Sequence, residues 1–218
     1  GGVYIEFNAQ PTFNNVTWIR NKAHSNGGGV YISNTRTNPT FNNCTFQENT
    51  ALSMNSNGGG VCIRSSAQPT FNHVTIVNND TYGVGLYSTW SHPVFTNSII
   101  ANNGTQVTTN QSTGPYGISV SYSNIQGGLD ELDSLEFDPD SVNWGAGNID
   151  AGPVFCEADS GNYHLAGNSP CAGTGQDGAA MGAFGVGCED TWFPPTIAAI
   201  IHTARDEAGT LPRQTPTQ

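Results

Sequence analysis

Apolar residues alternate with polar ones in short bursts and never form a long run. Val3 and Ile5 flank Tyr4, Phe13 stands between Thr12 and Asn14, and Val16 and Trp18 flank Thr17. A period of two puts the apolar members of each burst on one face of a strand. The bursts recur: Pro-Thr-Phe occurs at Pro11, Pro39 and Pro69, and relaxes to Pro-Val-Phe at Pro93, at spacings of 28, 30 and 24 residues. Glycine-rich starts precede each copy, and "GISVSYSNIQGG" is a weaker fifth. Set in register, five positions stay apolar: Val3, Val30, Val61, Val84; Ile5, Ile32, Ile63, Leu86; Phe13, Phe41, Phe71, Phe95, Val120; Val16, Cys44, Val74; and Trp18, Phe46, Ile76, Ile100, Ile125.

Self-similarity at this period means stacked copies of one supersecondary unit. The copies are rich in Asn, Gly, Thr and Ser, which disfavour helix interiors. They lack a leucine ladder and are too short for propeller blades. The pattern predicts an all-β solenoid whose strands pair with their equivalents one turn on, about 4.8 Å away. Parallel crossovers favour the right hand. The fold expected is a right-handed parallel β-helix of about five rungs over residues 1–128. Between the Phe and Val columns two residues turn a corner: Asn14-Asn15, Asn42-Asn43, Asn72-His73, Thr96-Asn97 and Ser121-Tyr122. Asn tolerates left-handed backbone, and stacked amides form ladders along such an axis.

Charge removes one class of partner and hydropathy another. Six bases face 17 acids, for a net charge of −11, and no base lies between residues 65 and 204. Such a surface repels phosphate backbones, so no nucleic-acid partner is expected. No stretch is apolar and long enough to span a membrane, so no insertion is expected. Five Asn-x-Ser/Thr sites occur, at Asn15, Asn43, Asn79, Asn103 and Asn110, as Asn- and Thr-rich sequence yields by chance.

Past residue 128 the repeat stops. Residues 129–190 form an acidic, cysteine-containing cap, with 12 of the 17 acids between Asp130 and Asp190. Asp138 and Asp140 begin like a calcium loop, but Val142 breaks the pattern. No cofactor is expected, and an irregular calcium cage in this cap is the one candidate left standing. Cys44 replaces a core valine, and Cys62 replaces Tyr31 on the outer face. Cys156, Cys171 and Cys188 lie where a disulfide is natural, which implies an oxidising compartment. Spacing does not give the connectivity; Cys156–Cys171 is the first choice, with one thiol left over.

The runs "VSYSNIQGG", "GNIDAGPVF", "GNYHLAGNSPCAG" and "MGAFGVGC" resemble the ending of secreted bacterial right-handed parallel β-helix repeat proteins. Relatives of the polymorphic outer-membrane proteins carry similar repeats. The resemblance covers roughly residues 1–188. It implies an extracellular or cell-surface protein with a cap packed on the last rung, and it carries little information about activity. The tail, residues 191–218, belongs to no rung. Its Ile197, Ile200 and Ile201 suit either a helix or a strand.

Catalytic groupings are sparse. Glu6, Glu48 and Asp80 are the only acids in residues 1–129, and they differ in register. Glycoside hydrolysis needs two carboxylates across one bond. The histidines scatter, with no Ser-His-Asp or His-x-x-x-His pattern. Arg20 and Glu48 align as a surface ion pair. Tyr4 and Tyr31 stack on the outer face, as a glycan platform or as a sheet-stabilising pair. The expectation is a non-enzymatic surface solenoid. Its first rung has no capping element and presents unpaired edges. An assembly interface is expected at Gly1, Val3 and Ile5 and, in the tail, at Trp192, Phe193, Ile197, Ile200 and Ile201. The expected partners are other copies of the chain, in a head-to-tail filament, or other surface proteins. The alternative is a polysaccharide-binding adhesin, and a polysaccharide lyase or hydrolase stands behind both.

Overall fold

The computed structural model describes residues 1–52, 58–87, 90–109, 117–133 and 141–191. The chain winds through β1 (Val3–Ile5), β2 (Thr12–Asn14), β3 (Thr17–Ile19) and the short β4 (Lys22–Ala23). The next turn repeats them as β5 (Val30–Ile32), β6 (Thr40–Asn42), β7 (Thr45–Gln47) and β8 (Thr50–Ala51). Then come β9 (Val61–Arg64), β10 (Thr70–Asn72) and β11 (Thr75–Val77), followed by β12 (Tyr82–Tyr87), β13 (Val94–Thr96) and β14 (Ile99–Ala101). The following turn holds β15 (Thr105–Thr109), β16 (Ile118–Ser121) and β17 (Asn124–Ile125). After it lie α1 (Gly128–Asp133), β18 (Val142–Trp144), β19 (Phe155–Glu157), β20 (Asn162–Ala166) and β21 (Val186–Cys188).

Equivalent strands stack into three parallel sheets. Sheet A is β1-β5-β9-β12-β15, sheet B is β2-β6-β10-β13-β16-β18, and sheet C is β3-β7-β11-β14-β17. Register is like over like: Val3 pairs Val30, Phe13 pairs Phe41, and Trp18 pairs Phe46. The aromatic columns are stacked rings. Centroids lie 5.2, 4.9 and 4.5 Å apart along Phe13, Phe41, Phe71 and Phe95, and Trp18 sits 4.7 Å from Phe46. Phe41, Phe71 and Phe95 are fully buried, each stabilising the coil by roughly 2–3 kcal/mol.

Two rows of left-handed residues make the corners. The expected row is Asn15, Asn43, His73, Asn97 and Tyr122, all with φ of 49–56°. A second row, between sheet C and the next turn, is Arg20, Glu48, Asn78 and Asn102, with φ of 53–55°. The outer amide ladder runs through Asn14, Asn42 and Asn72: Asn42 donates to Asn14 at 2.9 Å and Asn72 to Asn42 at 3.0 Å.

A second amide ladder lies inside the coil. The Oδ1 of Asn49 accepts from both the backbone and the side-chain N–H of Asn21, and Asn79 does the same for Asn49. Asn103 accepts from Asn79, and Gln106 from Asn103. The last backbone N–H, that of Gln106, donates to Glu131 of α1 at 2.9 Å. This ladder explains the glycine-rich start of each copy. A Cβ on Gly29, Gly60 or Gly83 would sit within 3.2, 3.0 and 2.7 Å of the amides of Asn49, Asn79 and Asn103.

Three expectations are corrected here. First, the coil continues past residue 128. Strand β18 adds a sixth strand to sheet B, Trp144 pairs with Val120, and Ile149 bridges to Asn124. Between them α1 turns inward, with Leu132 fully buried in the main core. Second, of the cap expected over residues 129–190 only the first part sits on the last rung, with α1 packed on β15 and β17; the C-terminal unit from β19 onward does not. It lies along the outer face of sheet C, where Val77, Ile99 and Ala101 point outward and pack with Phe155, Tyr163, Leu165 and Met181 in a second core. Ala183 donates its backbone N–H to Thr75, and Asn78 donates to Tyr163. Apolar residues on the outside of β11 and β14 need this cover. Third, the disulfide is Cys156–Cys188, not Cys156–Cys171. It ties β19 to β21, the outer strands of the small sheet β19-β20-β21. Cys171 is instead a buried free thiol within that second core, with its pKa pushed up to about 11 by burial.

Candidate functional site

The two ends of the coil differ. At the start, β1, β2 and β3 each have a strand partner on one side only. The inward residues Val3, Phe13 and Val16 are half-buried, whereas Val30, Phe41 and Cys44 one turn on are at 0% exposure. Phe7 and Ile19 add exposed apolar surface there, and Ile5 is buried. At the far end, α1 packs on β15 and β17, the last strands of sheets A and C. Among the described residues sheet B ends instead on the strand β18. Its Trp144 is half-buried and continues the Phe13–Phe41–Phe71–Phe95–Val120 column. Among the described residues one column therefore runs from Phe13 to Trp144, with no further strand of sheet B beyond either. The sequence reading missed Trp144, although an aromatic beyond the fifth copy was the available signal.

Charge is graded along the same axis. Arg20, Lys22, Arg36 and Arg64 lie in the first three turns, and Asp130, Glu131, Asp133 and Asp150 lie at the far end. Glu48 takes part of the first charge: its carboxylate meets Arg20 at 2.7 Å on the surface and holds the guanidinium pKa up. The tail positions expected at an interface, Trp192, Phe193, Ile197, Ile200 and Ile201, lie outside the described residues.

The tyrosine pair is present. Tyr4 and Tyr31 stack at 4.8 Å with their planes 5° apart, and Tyr4 is 62% exposed. The Tyr4 hydroxyl donates to Glu6 at 2.7 Å, and that bond pushes its pKa up to about 12. The stripe stops at Cys62, which pairs with Tyr31 as expected but is fully buried, with its thiol pushed up to about 12 by that burial. Arg64 lies beside it, its guanidinium over the ring of Tyr87 at 4.5 Å and reaching the Tyr31 hydroxyl at 3.4 Å.

The remaining polar groups stay apart. Glu6 bonds Tyr4, Glu48 bonds Arg20, and Asp80 is exposed with no side-chain partner among the described residues. His92 Nε2 lies 2.9 Å from the Ser119 hydroxyl, but the ring packs on Gly117 and carries no carboxylate partner among the described residues. His73 turns a corner and His164 rests on Phe184. Among the described residues no cluster of three or more His, Cys, Asp or Glu is placed to hold a metal; Asp138 and Asp140 lie outside them. An open depression of about 730 Å³ lies between Asn102 and the 152–160 segment, with Glu157 and Asp159 on its rim. Of the glycosylation-type sites, Asn79 and Asn103 are buried in the inner ladder, and Asn15 and Asn43 are exposed corners.

A coil of three parallel sheets with like residues stacked over like places the chain in the class of parallel β-solenoids. The family model for the right-handed β-helix region matches residues 1–130, and the chain belongs to that family. Comparison with curated proteins gives no significant match, and comparison with solved structures gives none either.

Proposed function

We propose that the chain is a non-enzymatic, extracellular structural module that joins copies of itself head to tail. The observation that carries this reading is the sheet B column, which among the described residues ends on half-buried Phe13 at one tip and half-buried Trp144 at the other. Setting Trp144 of one copy against Phe13 of the next continues the ring stack and pairs β18 with β2. Strand addition of this kind satisfies edge groups through main-chain hydrogen bonds. The contact is heterologous, so it propagates as a filament unless its rotation closes. The cationic first turns meet the acidic far end, which favours this orientation over head-to-head contact. The Cys156–Cys188 bond supports an oxidising, extracellular setting. Sedimentation velocity of the purified chain over a range of concentrations tests the reading. Species growing with concentration and shrinking with salt are expected; a monomer throughout, identical for wild type and Phe13→Asp, contradicts it.

The second reading, a polysaccharide-binding adhesin, rests on the exposed Tyr4–Tyr31 stack. Glycan retention that disappears when both tyrosines become alanine would favour it. The hydrolase or lyase reading has least support, since Glu6 and Glu48 are each engaged by a neighbour.

A further inference from the structure

The outer side chains of sheet B form two columns. Thr12, Thr40, Thr70, Val94 and Ser119 stack in one; Asn14, Asn42, Asn72, Thr96 and Ser121 stack in the other. The residues between them are the inward Phe13, Phe41, Phe71, Phe95 and Val120. None of β2, β6, β10, β13, β16 or β18 carries a Lys, Arg, Asp or Glu, in a chain with 17 acids and six bases. The C-terminal unit covers sheet C and leaves this face open, with Thr12 and Asn14 exposed and Thr40, Thr70, Asn42 and Asn72 only half-buried.

The face is ordered before anything binds. Bonds of 2.9 and 3.0 Å lock Asn14, Asn42 and Asn72 to one another, and each amide keeps donor or acceptor capacity for an outside partner. The threonines are β-branched and stiff. The hydroxyls of Thr12, Thr40 and Thr70 bond to no other side chain among the described residues. Val94 keeps the methyl of threonine, and at the end of the column the Ser119 hydroxyl is engaged by His92 Nε2 at 2.9 Å.

A partner for this face must be uncharged, hydrogen-bonding and periodic. A protein partner would want buried anchors, and the face offers none. A sugar ring presents an apolar C–H side that an aromatic ring covers, and every aromatic ring of the two columns' strands β2, β6, β10 and β13 points inward. Water in its crystalline order meets all three requirements. Strands repeat about every 4.8 Å, and alternate residues lie about 6.7 Å apart. In a tetrahedral network with O···O near 2.75 Å, next-nearest oxygens are about 4.5 Å apart and the perpendicular repeat is about 7.3 Å. The mismatch is about 0.3 Å per step over the four steps of each column and about 0.6 Å between the two columns.

We propose that the outer face of sheet B binds ice, with the threonine and asparagine columns holding water in lattice order. This goes beyond the assembly reading and does not rest on it. The test uses the whole chain, with ice-crystal shaping and recrystallisation inhibition as readouts. Wild type, Thr40→Lys and Thr70→Lys are compared with Thr108→Lys on sheet A, after circular dichroism shows all four folded. Expected are shaped crystals with wild type and Thr108→Lys, and inhibition that falls by about tenfold or more in the two sheet B variants. Wild type that leaves ice unshaped overturns the proposal, as does a Thr40→Lys variant equal to wild type. Retention on a neutral polysaccharide, lost in the same variants while ice is ignored, overturns it in favour of a glycan surface.

Discussion

Asn79 offers a single amide oxygen to both the backbone N–H and the side-chain N–H of Asn49, each at 3.0 Å, in a space with 2% exposure or less. Its own amide nitrogen donates to the carbonyls of Phe46 and Val77 and to Asn103. Removing it leaves the buried backbone N–H of Asn49 without its acceptor and takes a donor from the carbonyls of Phe46 and Val77 and from Asn103 Oδ1. Asn79→Ala is expected to lose about 3 kcal/mol, from penalties of roughly 1–3 kcal/mol per unpaired buried group. Urea unfolding followed by tryptophan fluorescence measures it.

The phenylalanine column predicts a gradient of sensitivity. Phe71 is stacked on both faces and fully buried, so Phe71→Ala is expected to cost about 3–5 kcal/mol. Phe13 is stacked on one face and half-buried, so Phe13→Ala in the monomer is expected to cost about half as much. Chemical denaturation of the two variants at low protein concentration checks the order.

His73 occupies a corner where its equivalents are Asn15, Asn43 and Asn97, with φ of 50°. Burial lowers its pKa, and burial lowers that of His92 as well. A lowered folded pKa means folding favours the neutral ring. That stability is complete above the unfolded value, near 6.5, and is lost as pH falls through the folded values. The melting temperature is expected to drop on acidification from pH 7.5 to 5. In His73→Asn the drop is expected to be smaller, with stability at neutral pH unchanged or higher, since Asn adopts left-handed backbone more readily. Differential scanning calorimetry at several pH values reads both effects.

The disulfide closes 32 residues of the unit that covers sheet C. The paired substitution Cys156→Ser with Cys188→Ser is expected to destabilise that unit by about 3–4 kcal/mol. The buried Cys171 thiol, protected in wild type, is then expected to alkylate. Non-reducing peptide mapping is expected to recover a 156–188 linkage. Recovery of a 156–171 linkage instead would contradict the arrangement of β19, β20 and β21.

The rungs were legible because a parallel coil must repeat its inward residues at one spacing, and Val3, Phe13 and Trp18 do so. The corner row at Asn15 and Asn43 was legible because left-handed backbone selects few residue types. The inner ladder was present in the spacing too: Asn21, Asn49, Asn79 and Asn103 repeat at 28, 30 and 24 residues, as the prolines do. It was passed over because Asn after a strand reads as solvated turn, and only the stacked backbone reveals that these amides point inward. The position of the C-terminal unit was hidden for a different reason. Its signal is an outward Val77 and Ile99 where solvent-facing residues belong, which is visible only once inside and outside are assigned. The cysteine pairing has no local signal, because it depends on how β19 and β21 flank β20. Trp144 escaped because residues 129–141 separate it from the repeat it continues.

Head-to-tail association makes one demand that no other contact shares. Phe13→Asp leaves the Trp144 tip intact, and Trp144→Asp leaves the Phe13 tip intact. Each variant alone is expected to sediment as a monomer. An equimolar mixture of the two is expected to form a dimer and to stop there, because each copy then has one usable end. A mixture that remains monomeric, or variants that each assemble as wild type does, would contradict the claim that Phe13 and Trp144 are the two halves of one joint.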